Sequence, residues 1–424
     1  MKTRPPMSRI FQRCPPVRLR RESWGGIAFD RQGGDLLELD DAGFAVLVAL
    51  SEAQSLPALH DSLRRRGQAA RLPELAGFVR MLEDRSFLRQ VPPDTPPLAP
   101  DPWAEGCAGV QGGGLRAPLV AHWAVTYRCN LRCPFCYSES GPHRESGPGP
   151  GIRLRLVERL AAWGVLEVAL GGGEPTVLAD FPGLLAGIRA AGMVPNVTTN
   201  GTVHTPPVVR ALAEHAGVVH LSADRPELLD AARGTGVFDR LRETARVLRR
   251  AGVHLGVNLL LTPDNVQDLD RSLATALDMG AQAVTLLRPK GSWAAAHWPG
   301  FPTSRDLDSL AGSLGSFLAT RPPVRLYVDT ALRGEWARLG LFEDPEPEVL
   351  GCGGGQRHVA VTPEGDVYPC SHLRRPGCRM GNLLRDGVTQ LWDAGPGWEG
   401  RQCYRRGCRG TTCPCSLGEA DVGS

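Results

Sequence analysis

Between about residues 119 and 330, short apolar runs alternate with longer stretches in which apolar positions recur every three to four residues. The first pattern is that of a buried strand and the second that of a helix with one apolar stripe. The run His122–Tyr127 begins the series. A helix is predicted near 152–163, a strand over 165–170, a helix near 181–190 and a strand over Val194–Thr199. Helices near 206–215, over 237–250 and over 265–278 then alternate with strands 218–222, 253–261, 282–287 and Val324–Asp329. Such repetition predicts an α/β fold, a parallel sheet with helices outside, and a site at the C-terminal strand ends.

The flanks read differently. Over residues 15–91, Val17–Asp30 and Gly34–Leu39 form short strands joined by a glycine turn. Asp41 is placed to cap a helix carrying Phe44, Val46, Leu47 and Leu50. Leu59 and Leu63, then Leu75, Phe78, Met81 and Leu82, recur at helical spacing. A hairpin and three helices lack the bulk for catalysis. Residues 92–118 are dense in proline and later in glycine, which predicts a linker, stiff at first and flexible afterwards.

Composition narrows the classes. A chain of 424 residues has room for two or three domains, and 42% hydrophobic residues is ordinary for a globular protein. A net charge of +3 argues for neither nucleic acid nor membrane. No signal-peptide core and no run long enough to span a bilayer occurs, so the expected location is cytoplasmic. Twelve cysteines in such a compartment read as metal ligands rather than disulfides.

Three of them form Cys129-Asn-Leu-Arg-Cys133-Pro-Phe-Cys136, immediately after the first apolar run. Three thiolates on one loop hold three irons of a [4Fe-4S] cube and leave the fourth open to a non-protein ligand. Zinc and a disulfide are the alternatives, although the nearest histidine, His143, sits in a Gly/Pro-rich loop without a partner. Further on, the strand 165–170 runs into Gly171-Gly-Gly-Glu-Pro-Thr176, where glycines allow close backbone approach and a carboxylate can accept from an ammonium.

These two stretches resemble the radical S-adenosylmethionine (SAM) superfamily, whose loop is CxxxCxΦC with an aromatic at Φ, here Phe135. The resemblance implies a partial (β/α)6 barrel. It implies that Cys129, Cys133 and Cys136 hold a [4Fe-4S] cluster whose open iron binds SAM, and that one electron cleaves SAM to a 5′-deoxyadenosyl radical. It also implies that the Phe135 backbone lies against the adenine and that Gly172, Gly173 and Glu174 clamp the methionine amino group. Asn200, Ser222 and Asn258, at or near strand ends, become the positions for contacts to the SAM ribose or carboxylate; each also reads as a turn former or cap. Arg288 follows another strand and could face substrate, with a plain loop as its other reading. Asp329 is a candidate proton acceptor, with a turn or cap as its other reading.

Toward the C-terminus, Cys352, Cys370, Cys378, Cys403, Cys408, Cys413 and Cys415 place seven thiols within 64 residues. The pattern Cys352-x12-Gly365-x4-Cys370 resembles the SPASM extension of radical SAM enzymes, over about 346–424, and implies one or two auxiliary [4Fe-4S] clusters. Cys403-x4-Cys408-x4-Cys413-x-Cys415 departs from that family's spacing. Two fully ligated cubes need eight thiolates, so either one iron stays open or Cys107 or Cys14 is recruited; zinc remains an alternative for 403–415.

The N-terminal region, for its part, resembles the winged-helix-like, PqqD-like recognition element of enzymes that modify ribosomally made peptides, which implies leader-peptide binding by strand addition. DNA binding is the competing reading, but Arg18, Arg20 and Arg21 precede the hairpin and Arg64–Arg66 sit at a helix end. The resulting expectation is a radical SAM/SPASM enzyme that installs an oxidative C–C, C–O or C–S crosslink in a precursor peptide. Flavodoxin or ferredoxin is the implied electron donor. A sulfatase-maturase-like enzyme and a non-catalytic Fe-S or zinc peptide-binding protein are the alternatives.

Overall fold

The computed structural model describes residues 9–68, 71–105, 114–289, 304–320, 322–329, 353–371, 373–374 and 376–393. The chain forms two compact units that divide between Arg116 and Ala117.

In the first unit, β2 (Val17–Glu22), β3 (Gly25–Asp30) and β4 (Leu36–Leu39) make an antiparallel sheet in that order. A second small sheet places β1 (Ile10–Arg13) between β5 (Gln54–Ser55) and β6 (Leu88–Gln90). The sequence pattern missed all three of these strands, each too short to show a period. Helices α1 (Asp41–Ala49), α2 (Leu56–Arg65) and α3 (Leu72–Asp84) fold over a core that includes Phe11, Phe44, Leu47, Leu59, Leu63 and Val79. Asp40, not Asp41, caps α1: its carboxylate accepts from the Gly43 amide at 2.8 Å, while Asp41 is the first helical residue.

Residues 92–105 carry no helix or strand, yet they lie along this unit rather than leaving it. Asp101 accepts from the Leu19 amide at 2.8 Å and pairs with Arg13 at 3.2 Å, with both side chains nearly fully buried. The Arg21 amide donates to the Trp103 carbonyl at 2.7 Å, and the Leu98 amide to the Ser51 carbonyl at 2.9 Å. Polar backbone that a strand partner would otherwise satisfy is thereby satisfied by proline-rich chain. Arg20 and Glu22 form a second buried pair at 2.7 Å, and Glu22 also accepts from the Arg116 amide.

The second unit is built on one sheet. Its parallel strands are β7 (Val120–Thr126), β8 (Glu167–Gly172), β9 (Val194–Thr199), β10 (Val219–Ser222), β11 (Leu255–Leu260), β12 (Ala283–Leu287) and β13 (Arg325–Val328), paired in chain order. Helices α4 (Pro150–Trp163), α5 (Phe181–Ala190), α6 (Pro206–His215), α7 (Pro226–Arg233), α8 (Val237–Arg250), α9 (Pro263–Val266), α10 (Leu269–Asp278) and α11 (Ser304–Ala319) connect them. This is the expected α/β arrangement, with two helices added, α7 and α11, and one divided. The stretch read as helix 265–278 is two, because Asn265 is fully buried and its side chain closes a capping box with Thr262 while donating to Asp224 and Leu260. Helix α7, directly after β10, has too few apolar positions to show a stripe.

The C-terminal segment joins the same sheet. Strand β14 (His358–Val361) pairs parallel with β7 on the side away from β8, and β15 (Asp366–Tyr368) and β16 (Gly381–Asn382) continue antiparallel. Arg159 of α4 donates to the carbonyls of Leu383 and Asp386 at 2.8 and 2.6 Å, and Trp163 meets Trp392 of α12 (Val388–Asp393) edge-on at 6.0 Å. Among the described residues no helix is long and apolar enough to cross a membrane.

Candidate active site

The C-terminal end of β7 leads into the cysteine loop, and the end of β8 packs directly against it. Gly173 donates to the Thr126 carbonyl at 2.7 Å and Glu174 to the Arg128 carbonyl at 3.0 Å. The glycines are required by this contact: a Cβ on Gly172 would lie 2.4 Å from the Thr126 carbonyl oxygen, and one on Gly173 would lie 2.1 Å from that of Arg128. Gly172 also has φ of +104°, which favours glycine. Gly171 and Gly172 line a cavity, whereas Gly173 does not.

Glu174 is 1% exposed. One carboxylate oxygen accepts from the Thr176 amide (3.1 Å), the Thr176 hydroxyl (2.6 Å) and the Thr199 hydroxyl (2.7 Å), and the other accepts from the Asn200 amide at 2.7 Å. Burial pushes its carboxyl up, and these four donors oppose that shift. Glu174 does not line the cavity. In this structure it binds the end of β8 to the end of β9.

The cavity, of about 840 Å³, opens at the C-terminal ends of the parallel strands. Cys133, Phe135, Cys136, Gly172, Ser222, Asn258, Arg288 and Asp329 border it, drawn from positions spread over the whole second unit. Cys129, Gly173, Glu174 and Asn200 do not. The C-terminal segment forms part of the wall through Tyr368, Ser371 and Arg374. Arg374 stacks 4.9 Å from the centre of the Tyr127 ring and donates to the Tyr137 carbonyl at 3.3 Å, so it joins that segment to both ends of the cysteine loop.

Each loop thiol has a polar neighbour. Cys129 accepts from the Leu131 amide at 3.4 Å and from the Asn200 side chain at 3.8 Å. Cys136 lies 3.2 Å from the Ser138 hydroxyl, which donates to the Gly172 carbonyl. Cys133 lies within reach of the Arg233 charge, which favours its thiolate. That arginine, on a helix the sequence pattern missed, donates to the Ser222 carbonyl at 2.7 Å and stacks 5.9 Å from the Phe135 ring centre. A basic residue at the end of a helix following a polar strand end was the available signal.

Burial pushes the Cys129 thiol up to about 11 and raises that of Cys133, against the pull of Arg233. A desolvated thiol stays protonated unless a bound cation replaces its proton, which is the chemistry of a metal-ligand cysteine. Among the described residues no three His, Cys, Asp or Glu side chains converge closely enough for one ion. Thiolates around zinc stand about 2.3 Å from the metal and so lie close together, whereas a multi-iron cluster holds its ligands further apart. Three thiols on one loop are the donor set that such a cluster takes.

In the C-terminal segment, Cys370 is buried against Leu373, with Cys378 packed beside them. Cys352, Cys403, Cys408, Cys413 and Cys415 lie outside the described residues.

Comparisons with known proteins agree with this layout. The family profile of the radical SAM superfamily matches residues 123–276, and that of an iron-sulfur cluster-binding domain, SPASM, matches residues 352–414. The mycofactocin maturase MftC of Mycolicibacterium smegmatis is 32% identical over 289 residues, covering 66% of this chain and 71% of that protein. The PqqA peptide cyclase of Xanthomonas euvesicatoria pv. vesicatoria is 29% identical over 289 residues, covering 66% and 75%. Among solved structures, Streptococcus suis SuiB bound to its precursor peptide SuiA superposes with a TM-score of 0.66 at 16% identity, over 92% of this chain and 90% of that one. Native anSMEcpe with bound AdoMet gives 0.54 at 19% identity, over 65% and 80%. At these identities the two structures speak for the fold.

Proposed function

Since this chain belongs to the radical SAM superfamily and carries its SPASM iron-sulfur extension, we propose that it is a peptide maturase that forms an oxidative crosslink in a ribosomally made precursor. The observation that carries this reading is the shared wall. One cavity is bordered by the first cysteine loop, by the polar ends of β10 and β11, and by the segment that holds Cys370 and Cys378. A substrate there is within reach of both cysteine-bearing segments.

Cys129, Cys133 and Cys136 would hold a [4Fe-4S] cluster, and Cys370 and Cys378 would contribute to an auxiliary one. When bound, these groups supply the electron that cleaves SAM to the 5′-deoxyadenosyl radical and accept the surplus electron of the oxidised peptide. Ser222, Asn258 and the Gly171–Gly172 backbone are groups on the cavity wall that would orient SAM by hydrogen bonds. Leu228, Leu229, Leu260 and Leu287 give the cavity an apolar side that excludes water from a reacting carbon. Asp329, at the end of β13, is assigned the proton released as the new bond forms.

The first unit is assigned the leader of the precursor. The outer edge of β2 is covered by residues 101–103, whereas among the described residues β4 has a strand partner on one side only, so in this sheet strand addition would use β4. A likeness to SuiB over 92% of the chain reaches into this unit, since the second unit alone is shorter than that. A flavodoxin or ferredoxin is the proposed electron donor and the cytoplasm the proposed location.

Anaerobic reconstitution with iron and sulfide, followed by SAM, dithionite and candidate precursor peptide, tests the reading. Wild type should yield 5′-deoxyadenosine and a peptide lighter by a pair of hydrogens, and Cys133→Ala should yield neither. Iron-loaded wild type that leaves SAM intact with peptide present would refute it.

A further inference from the structure

Asn200 carries more than the contact to SAM that its place after β9 invites. Its side-chain carbonyl accepts from the Thr202 amide at 2.9 Å and from the Thr202 hydroxyl at 2.6 Å. Those two donors fix which way the amide points, because a flipped amide would set N–H against N–H. The NH2 group is thereby turned to the cysteine loop, with Asn130 Oδ1 at 2.9 Å and Cys129 Sγ at 3.8 Å. The Asn130 NH2 in turn donates to the Thr202 hydroxyl at 2.7 Å, closing a ring of three side chains. From the other direction, the Asn200 backbone N–H is anchored on the buried Glu174 carboxylate. Every hydrogen-bonding group of Asn200 named here is committed to holding one donor against one sulfur.

An N–H aimed at a cluster sulfur stabilises negative charge on it, and does so more in the reduced cluster than in the oxidised one. The buried Glu174 carboxylate acts in the opposite sense on Cys129, and Asn200 stands between them. We infer that Asn200 is a positioning residue that donates to the Cys129 thiolate and raises the reduction potential of the cluster held by the 129–136 loop. This rests on the reading of that loop as a cluster site. It assigns Asn200 to the sulfur and not to the cavity, which it does not line.

The experiment is a potentiometric titration of the reconstituted full-length protein, followed by electron paramagnetic resonance. The relevant cluster is identified as the one whose signal changes when SAM is added. Asn200→Asp keeps the shape and the acceptor for Thr202 but replaces the donor with a charge; Asn200→Leu removes both. The midpoint should move to more negative values in both variants, further in Asn200→Asp, while iron content and melting temperature stay near wild type. Midpoints equal to wild type in Asn200→Asp, with iron retained, overturn the assignment of Asn200 and leave the cluster reading standing. A wild type with no SAM-responsive signal overturns both. Should Asn200→Leu fail to fold, the aspartate variant decides alone.

Discussion

Gly173 stands so close to Arg128 that a Cβ on it would lie 2.1 Å from the Arg128 carbonyl oxygen, with the Tyr127 carbonyl carbon 2.9 Å away. Both neighbours are backbone and cannot rotate aside. Gly173→Ala must therefore push the end of β8 off the cysteine loop, at a cost of about 1–3 kcal/mol by the usual scale of overpacking. The expected result is a lower melting temperature and reduced iron uptake at the first cluster, whereas Gly171→Ala, whose Cβ meets nothing within 4 Å, should melt like wild type. Melting curves and iron analysis of the two variants side by side check this.

From a single helix end Arg233 donates to the Ser222 carbonyl, stacks on Phe135 and acts by its charge on Cys133. Hydrogen bonds to charged groups contribute about 1.5–3 kcal/mol. If that stabilisation acts on the reacting state, Arg233→Met lowers the rate of 5′-deoxyadenosine formation by roughly ten- to a hundredfold. Arg233→Lys should recover part of the loss, because it restores the charge but not the fork that reaches several partners at once. A rate equal to wild type in Arg233→Met would remove Arg233 from the site.

His220 borders the cavity beside Gly256, where a Cβ would lie 2.5 Å from the imidazole Nδ1. Burial lowers its pKa below the usual histidine range, His254 adds to the shift, and a hydrogen bond with Asn258 opposes it. The folded state thus binds fewer protons than the unfolded chain at mildly acid pH. Stability from this group is present above the unfolded value of about 6.5 and is lost as pH falls through the folded one. Wild type should lose melting temperature more steeply than His220→Gln as pH is lowered from about 7 to about 5.5. Parallel slopes would show that the imidazole is not what titrates.

Asp101 is the hinge of the first unit's strap. Removing its charge leaves Arg13 buried with its ion pair gone and the Leu19 amide without its acceptor. Breaking a buried pair from one side costs about 3–5 kcal/mol. Asp101→Ala should therefore expose residues 92–105 to protease and weaken binding of precursor peptide. Peptide-independent SAM cleavage, carried by the second unit, should stay at the wild-type level. Limited proteolysis and a SAM-cleavage assay without peptide separate these effects.

How much of this was legible beforehand depended on the length over which a pattern ran. The long repeating segments were read almost to the residue: 181–190, 194–199, 206–215 and 237–250 coincide with α5, β9, α6 and α8. Strands β1, β5 and β6 were not, because two to four residues carry no period and their pairing is decided by partners far along the chain. The proline-rich stretch was read as a spacer from composition. Composition reports that a segment will not become helix or strand, but not that Asp101 within it finds a buried arginine. At the site, the cysteine loop and the cavity-facing positions Ser222 and Asn258 were named from sequence. The inward turn of Glu174 and the reach of Arg233 were not. Both depend on which way a side chain points at the end of an element, and spacing does not encode that.

The pairing of β14 with β7 has a bearing on how the protein is made. Val120 and His358 lie side by side in the sheet but are separated by most of the chain. On the ribosome, strands β7 to β13 can pair in the order they emerge, while the edge of β7 that β14 takes waits until His358–Val361 are delivered. Such distant pairing is slow, and an unpaired edge is open to other chains in the meantime. The final wall of the cavity, with Tyr368, Ser371 and Arg374, arrives with that late strand. Delivery of β14 is thus the event that closes the reaction chamber, and a chain that has not yet reached it carries its cysteine loop without the enclosure that would shelter a radical.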